Sequence, residues 1–213
     1  MKLYSYWRST TAYRVRAALN LKGLSYEIET VNLLEKEQKS PDYLALNPSG
    51  AVPTLRLDDG TLLTQSLAIM DYLDSLAPEP LLIPQDPRAR AKVLAAAYTI
   101  ALDVHPLNNL RVIERLKGEF GAEPNAVRRW MLHWMVEGCT ALEVQLSGAH
   151  RFCFGSLPDL SDLCLVAQLY NARRWGLDTS AYPKLRRVEA ACLEHPAIAA
   201  AHPGRQPDAK GGA

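Results

Sequence analysis

A chain of 213 residues, 48% of them hydrophobic, has ample material for one large or two small domains with a stable core. Its formal net charge is only +1 and no basic block interrupts it, which argues against a nucleic-acid surface. No apolar run reaches bilayer-spanning length and the N-terminus lacks the apolar core of a signal peptide, so the expectation is a cytoplasmic protein without a membrane partner.

The chain opens on Leu3-Tyr4-Ser5-Tyr6-Trp7, a short apolar run with large aromatics that reads as a buried strand. Arg8 and a hydroxyl cluster, Ser9-Thr10-Thr11, follow. Val15, Ala18 and Leu19 then form one helical face, which Lys22-Gly23 closes. Hydroxyls and an arginine at a strand-to-helix turn suit an anion, because the first helical N–H groups are unpaired and the helix end is positive. The same hydroxyls suit plain N-capping equally well. Ser25 to Leu33 alternates apolar and polar residues and reads as a second strand.

Glu35 to Leu46 reads as a polar, weakly amphipathic helix that stops at Asn47-Pro48-Ser49-Gly50. The segments Val52 to Leu57 and Thr61 to Thr64, joined by Asp58-Asp59-Gly60, have the pattern of a hairpin. Pro53 at the strand entry fits either a trans proline or a cis bond that exposes the Val52 backbone to a ligand. Ser66, ahead of Leu67, Ile69, Met70, Tyr72 and Leu73, is the expected N-cap of a third helix. Strand, helix, strand, helix, hairpin, helix makes a small mixed sheet covered by helices.

Ala77 to Pro87 is punctuated by proline and reads as an interdomain linker, which divides the chain into domains at 1–80 and 88–213. Beyond it the pattern is helical throughout. Arg88 to about Lys117 reads as one helix kinked near His105-Pro106. In Asn125 to Leu146, Val127, Trp130, Met131, Trp134, Met135, Cys139 and Leu142 form a 3.6-period stripe for a core or a subunit interface. Asp159-Leu160-Ser161-Asp162 has the shape of a capping box ahead of a nearly all-apolar, central helix that ends at Arg173-Arg174-Trp175-Gly176. Pro183 to Glu194 is a further helix, and the polar tail from His202 is expected to lie over the surface or fray. The four cysteines, Cys139, Cys153, Cys164 and Cys192, include no Cys-x-x-Cys pair, which removes metal-ribbon and dithiol redox readings; no metal is expected. There is no phosphate-loop or dinucleotide glycine pattern.

In this order the segments resemble the soluble glutathione transferases along nearly the whole chain. Val52-Pro53-Thr54-Leu55 with Gln65-Ser66 carries the resemblance to the superfamily. Ser5-Tyr6-Trp7-Arg8-Ser9, Pro84-Gln85-Asp86-Pro87 and Arg205-Gln206-Pro207-Asp208 narrow it to the zeta class, the maleylacetoacetate and maleylpyruvate isomerases. The resemblance implies an α/β thioredoxin-like N-terminal domain that binds glutathione and an all-α C-terminal domain that binds substrate, in a homodimer. One departure stands out: the family pattern Ser-Ser-Cys at the helix start is Ser9-Thr10-Thr11 here, so chemistry that needs a protein thiol at that point is in doubt.

The function so implied is glutathione-dependent cis–trans isomerisation of a maleyl keto-dicarboxylate to its fumaryl isomer in aromatic-compound catabolism. The alternatives are a general glutathione transferase or α-haloacid dehalogenase, and a non-catalytic binding module on the same fold. By resemblance Ser9 donates to the glutathione thiolate, with Thr10 and Thr11 lining the turn. The Val52 backbone pairs with the cysteinyl amide, Gln65 and Ser66 hold the γ-glutamyl carboxylate, and Gln38 meets the glycyl end. Arg8, Arg111 and Arg174 are the expected cations for two substrate carboxylates and the developing enolate, Arg174 standing at the family's substrate-arginine position. Three arginines exceed what a non-polar electrophile requires, which favours isomerase over conjugase. His105 and Asn109, four apart, are expected to share a helical face toward the cleft, with Asp103 from the same segment.

Overall fold

The computed structural model of the chain describes residues 1–209. Two compact units divide it: Met1–Leu82 together with the chain from Glu194 onward, and Ile83–Leu193.

In the first unit the order is β1 (Lys2–Ser5), α1 (Thr10–Leu21), β2 (Glu27–Thr30), α2 (Pro41–Leu46), β3 (Thr54–Arg56), β4 (Leu62–Thr64) and α3 (Ser66–Leu76). The four strands form one sheet in the order β2-β1-β3-β4. β1 and β2 are parallel, as a strand–helix–strand crossover demands, and β3 and β4 add antiparallel. This is the α/β, thioredoxin-like layout. Leu3 and Leu55 from the sheet, Val15 and Leu19 from α1, and Ile69, Met70 and Leu73 from α3 are fully buried and make the core.

Two details differ from the sequence reading, and the alternative left open at Pro53 is resolved. Residues 35–46 are not one helix: 3-10 turns at Leu33–Glu35 and Glu37–Lys39 precede α2, with Lys36 left-handed at φ 60 between them. The segment has no continuous apolar stripe to hold a longer helix, and Ser40-Pro41 restarts it, the Ser40 hydroxyl accepting from the Tyr43 N–H. The Val52–Pro53 bond is cis, as is Glu79–Pro80. The tail from Glu194 belongs with the first unit, whereas the sequence reading ran the helical domain from 88 to 213. Helix α9 (Pro196–Ala200) packs on α1, where the Asn20 amide donates to the Ala197 carbonyl at 2.9 Å. Ile198, Ala201 and Pro203 are buried, so the described tail is a packed strap, not a fraying end.

The second unit holds α4 (Pro87–Tyr98), α5 (Leu110–Gly118), α6 (Pro124–Gln145), α7 (Leu160–Arg174) and α8 (Pro183–Glu194). The expected kink is a full break. A π-helical turn at Thr99–Val104 passes into a 3-10 turn at His105–Asn108, where Pro106 has no N–H to continue the ladder. On α6, Val127, Met131, Met135, Cys139 and Leu142 are buried, while Trp130 and Trp134 are half-buried. Gly138 lies so close to Val104 that only a residue without a side chain fits. Helix α7 is central, with every residue from Leu160 to Leu169 buried. Its capping box forms as expected: Asp159 accepts from the Ser161 N–H, and Asp162 accepts from the N–H groups of Asp159 and Cys153, each at 2.8 Å. No helix among the described residues is long and apolar enough to cross a membrane.

Candidate active site

Ser9 is the N-cap of α1, and its hydroxyl accepts from the Ala12 N–H at 3.2 Å. The Thr11 hydroxyl donates to the Val52 carbonyl at 2.9 Å, and the Ser9 and Thr11 hydroxyl oxygens stand 2.8 Å apart. A hydroxyl has one proton, and that of Thr11 is committed to Val52. The Ser9 proton is therefore the one shared with Thr11. A directed chain results, Ser9 to Thr11 to Val52, across the N-terminal end of α1. Thr10, the first helical residue, is buried beside it. Sequence reasoning placed Ser9, Thr11 and Val52 in one site but missed the bond that joins them; the two partners lie 41 residues apart, and no local spacing announces it.

The other expected residues of this unit occupy neighbouring turns. The guanidinium of Arg8 lies over the Trp7 ring, 5.0 Å from its centroid. Gln38 is buried in the second 3-10 turn with its Oε1 unpartnered, a position where a polar atom calls for a ligand or water. Gly50 packs against this turn, since a Cβ there would come within 2.9 Å of the Gln38 carbonyl. Gln65, not Ser66, occupies the N-cap position of α3, at φ 67, and makes no side-chain capping bond. Ser66 is the first helical residue and is buried. Positive φ at a non-glycine residue is a strained conformation, and the first N–H groups of α3 have no side-chain cap.

In the second unit, Asp103 is exposed in the π-helical turn and His105 begins the 3-10 turn. Asn109 is extended (φ −71, ψ 148) and caps α5, its Oδ1 accepting from the Arg111 N–H at 3.2 Å. The expected shared helical face of His105 and Asn109 does not exist, because the backbone leaves helical geometry between them. Asn108, which sequence reasoning passed over, is the buried residue of this turn and accepts from Gln168 of α7 at 3.3 Å. Arg111 is exposed on the first turn of α5. Arg173 and Arg174 part company at the end of α7: Arg173 pairs with the buried Glu189, while Arg174 donates to Asn171 at 3.3 Å.

All four cysteines are buried free thiols. Burial pushes Cys139 up to about 12 and holds Cys153 and Cys192 well above the ordinary thiol range. These three side chains are not thiolates at neutral pH.

The small mixed sheet, with a hydroxyl-capped α1 bonded to the turn before β3, defines the glutathione-binding half of a glutathione transferase, and residues 8–76 match the family described as "Glutathione S-transferase, N-terminal domain". A maleylacetoacetate isomerase of Pseudomonas aeruginosa is 47% identical over 210 residues, covering 98% of each chain. The holo structure of maleyl pyruvate isomerase, a bacterial zeta-class enzyme, superposes with a TM-score of 0.96 at 41% identity, over 99% of this chain and 100% of the other. A Methylobacterium maleylacetoacetate isomerase with bound malonate and glutathione gives 0.95 at 42% identity, with the same coverage. The chain belongs to the zeta-class glutathione transferases, the family of maleylacetoacetate and maleylpyruvate isomerases.

Proposed function

We infer that the protein is a glutathione-dependent cis–trans isomerase that converts a maleyl keto-dicarboxylate, maleylpyruvate or maleylacetoacetate, to its fumaryl isomer in the breakdown of aromatic compounds. The observation that carries this reading is the Ser9–Thr11–Val52 hydroxyl chain at the α1 N-terminus, in a protein whose full-length relatives have that isomerase name. The related structure solved with bound malonate and glutathione contains a dicarboxylate and the tripeptide, the two kinds of ligand this reaction needs. General conjugation and a non-catalytic role are not favoured by these relatives.

The residues of the first unit suit the tripeptide. Gln38 offers a buried, unpartnered oxygen, the start of α3 offers uncapped N–H groups, and Val52 stands at a strand entry. Bound glutathione supplies a thiolate that adds reversibly to the cis double bond, so that rotation and elimination release the trans product. Ser9 holds that charge: its oxygen is already anchored by the Ala12 N–H, and its proton needs only to swing from Thr11 toward the sulfur. A cysteine-like thiol, ordinarily near ~8.5, falls to roughly 3.5–7.5 beside such a donor and a helix N-terminus. Thr11 keeps the Val52 carbonyl aligned for the cysteinyl amide, and Thr10 lines the turn. Gln65 and Ser66 bind the γ-glutamyl carboxylate at the α3 N-terminus, and Gln38 the glycyl end. Arg8, Arg111 and Arg174 are the proposed cations for the substrate carboxylates and the enolate charge, and Asp103, His105 and Asn109 are further residues proposed to take part.

The test is to offer both substrates with and without glutathione and to follow the trans product. Glutathione-dependent isomerisation of either is expected, and the ratio of kcat/KM values names the physiological substrate. Isomerisation without glutathione, or of neither substrate, overturns the reading. A cytoplasmic homodimer completes the proposal. Sedimentation of the intact protein tests the pairing.

A further inference from the structure

Trp7 is held from both sides by groups that none of the assigned roles uses. Its N–H donates to the Asp208 carboxylate at 2.9 Å. Its carbonyl accepts from the Arg16 guanidinium at 3.1 Å. Arg16 is fully buried, and it also donates to the Ser5 hydroxyl at 2.9 Å, the Tyr6 carbonyl at 3.4 Å and the Ala201 carbonyl at 3.2 Å. The guanidinium thus spans α1, the β1–α1 turn and the tail. The tail is itself stiffened, because Gln206 donates to the Ala200 and His202 carbonyls. The edge of the Tyr13–His202 ring pair, 6.0 Å between centroids, seats it on α1.

What these bonds hold is the turn that presents the site. The Ser9 N–H donates to the Tyr6 carbonyl at 3.0 Å, and Arg16 reaches that same carbonyl. The Arg8 guanidinium rests on the Trp7 ring. Displacing Trp7 therefore moves both Arg8 and Ser9. A buried charge forked across carbonyls of the turn and the tail and the Ser5 hydroxyl of β1 is costly to leave unsatisfied, so the turn has one favourable position.

We propose that Asp208 and Arg16 are positioning residues for the glutathione thiolate: the C-terminal strap, through these two side chains, sets the place of Ser9 and Arg8. This rests on the reading of Ser9 as the thiolate donor. Neither side chain touches the sulfur; each acts through the Trp7 backbone. Geometry at a reacting centre is steeply rewarded, and a displacement near 1 Å costs up to ~10²-fold.

The experiment compares Asp208→Ala, Asp208→Asn and the unchanged protein in three measurements: the pH titration of thiolate absorbance in the glutathione complex, kcat and KM for both reactants, and thermal midpoint. Asp208→Ala is expected to raise the bound thiol's pKa and the glutathione KM, the latter roughly five- to tenfold, with the midpoint changed by only a few degrees. Asp208→Asn, which keeps an acceptor for the Trp7 N–H, is expected to restore most of both. If Asp208→Ala leaves the thiol pKa and KM at their original values, or if activity falls only with the folded fraction, the proposal is overturned. Failure of Asp208→Asn to restore them overturns the hydrogen-bond route. Arg16→Lys serves as a second variant with the same expected direction. An unchanged protein that shows no glutathione-dependent isomerisation would instead sink the functional reading, so the two failures are distinct.

Discussion

The Thr11 hydroxyl donates to the Val52 carbonyl across 2.9 Å, and the bond ties the first turn of α1 to the strand entry 41 residues later. It stands where the family pattern has a cysteine. A thiol is a weak donor, whereas a threonine hydroxyl makes a full hydrogen bond and orients Ser9 at the same time.

Ser9→Ala is expected to leave the fold intact and to lower kcat by roughly 10–100-fold, the worth of one charge-assisted hydrogen bond of about 1.5–3 kcal/mol. The thiolate absorbance of the glutathione complex should titrate at a higher pH. Thr11→Val, which deletes only the hydroxyl, is expected to act chiefly on glutathione KM, since Val52 loses its tie while Ser9 remains. A thiol pKa unmoved by Ser9→Ala would pass the donor role to Thr10 or Thr11.

Arg174→Ala is expected to raise the KM for the dicarboxylate by about tenfold or more while glutathione KM stays within about twofold. Arg111→Ala is expected to act in the same direction. Arg173→Ala makes the contrast, because Arg173 pairs with the buried Glu189: it should lower the thermal midpoint and spare substrate KM. Steady-state kinetics and thermal melts of the three variants separate these outcomes.

The capping box of α7 makes stability depend on pH. Burial pushes the Asp162 carboxyl up to about 8, with the neighbouring Asp159 carboxylate adding to the rise. Unfolded, the group returns to about 4, so the folded state binds the extra proton between those values. This contribution is full below about pH 4 and is lost as pH rises through about 8. His202 works the other way near neutrality, as burial and the charges of Arg205 and Arg16 lower its pKa. Urea midpoints across pH 5 to 9 should therefore fall more steeply in the unchanged protein than in Asp162→Asn. A cap without its carboxyl, Asp162→Ala, is expected to cost about 2–4 kcal/mol, because two buried N–H groups lose their acceptor.

Gly138→Ala is expected to destabilise the second unit although alanine is the better helix former. An added Cβ would stand 2.2 Å from a methyl of the buried Val104, and a β-branched neighbour cannot swing away. The cost, about 1–3 kcal/mol, exceeds the ~1 kcal/mol gained in helix propensity. Val104→Ala in the same protein should recover part of it, which chemical denaturation of the single and double variants measures.

Much of this protein is written locally. The Asp-Gly hairpin, the Ser9 cap, the period-3.6 stripe of α6 and the Asp159–Asp162 box each depend on residues within a turn or two, and each forms as read. Local rules reach their limit where competing signals meet. The polar run before α2 breaks at Lys36, the helix after Thr99 rewinds around Pro106, and Gln65 takes a strained φ that moves the cap of α3 back by one residue. Tertiary structure alone decides what distant segments do together. The Thr11–Val52 bond, the return of the tail from Glu194 to α1, and the buried Arg16 that joins the β1–α1 turn to the tail are closed only when the sheet and helices have packed. Their energies come from excluding water around groups that chain order leaves far apart.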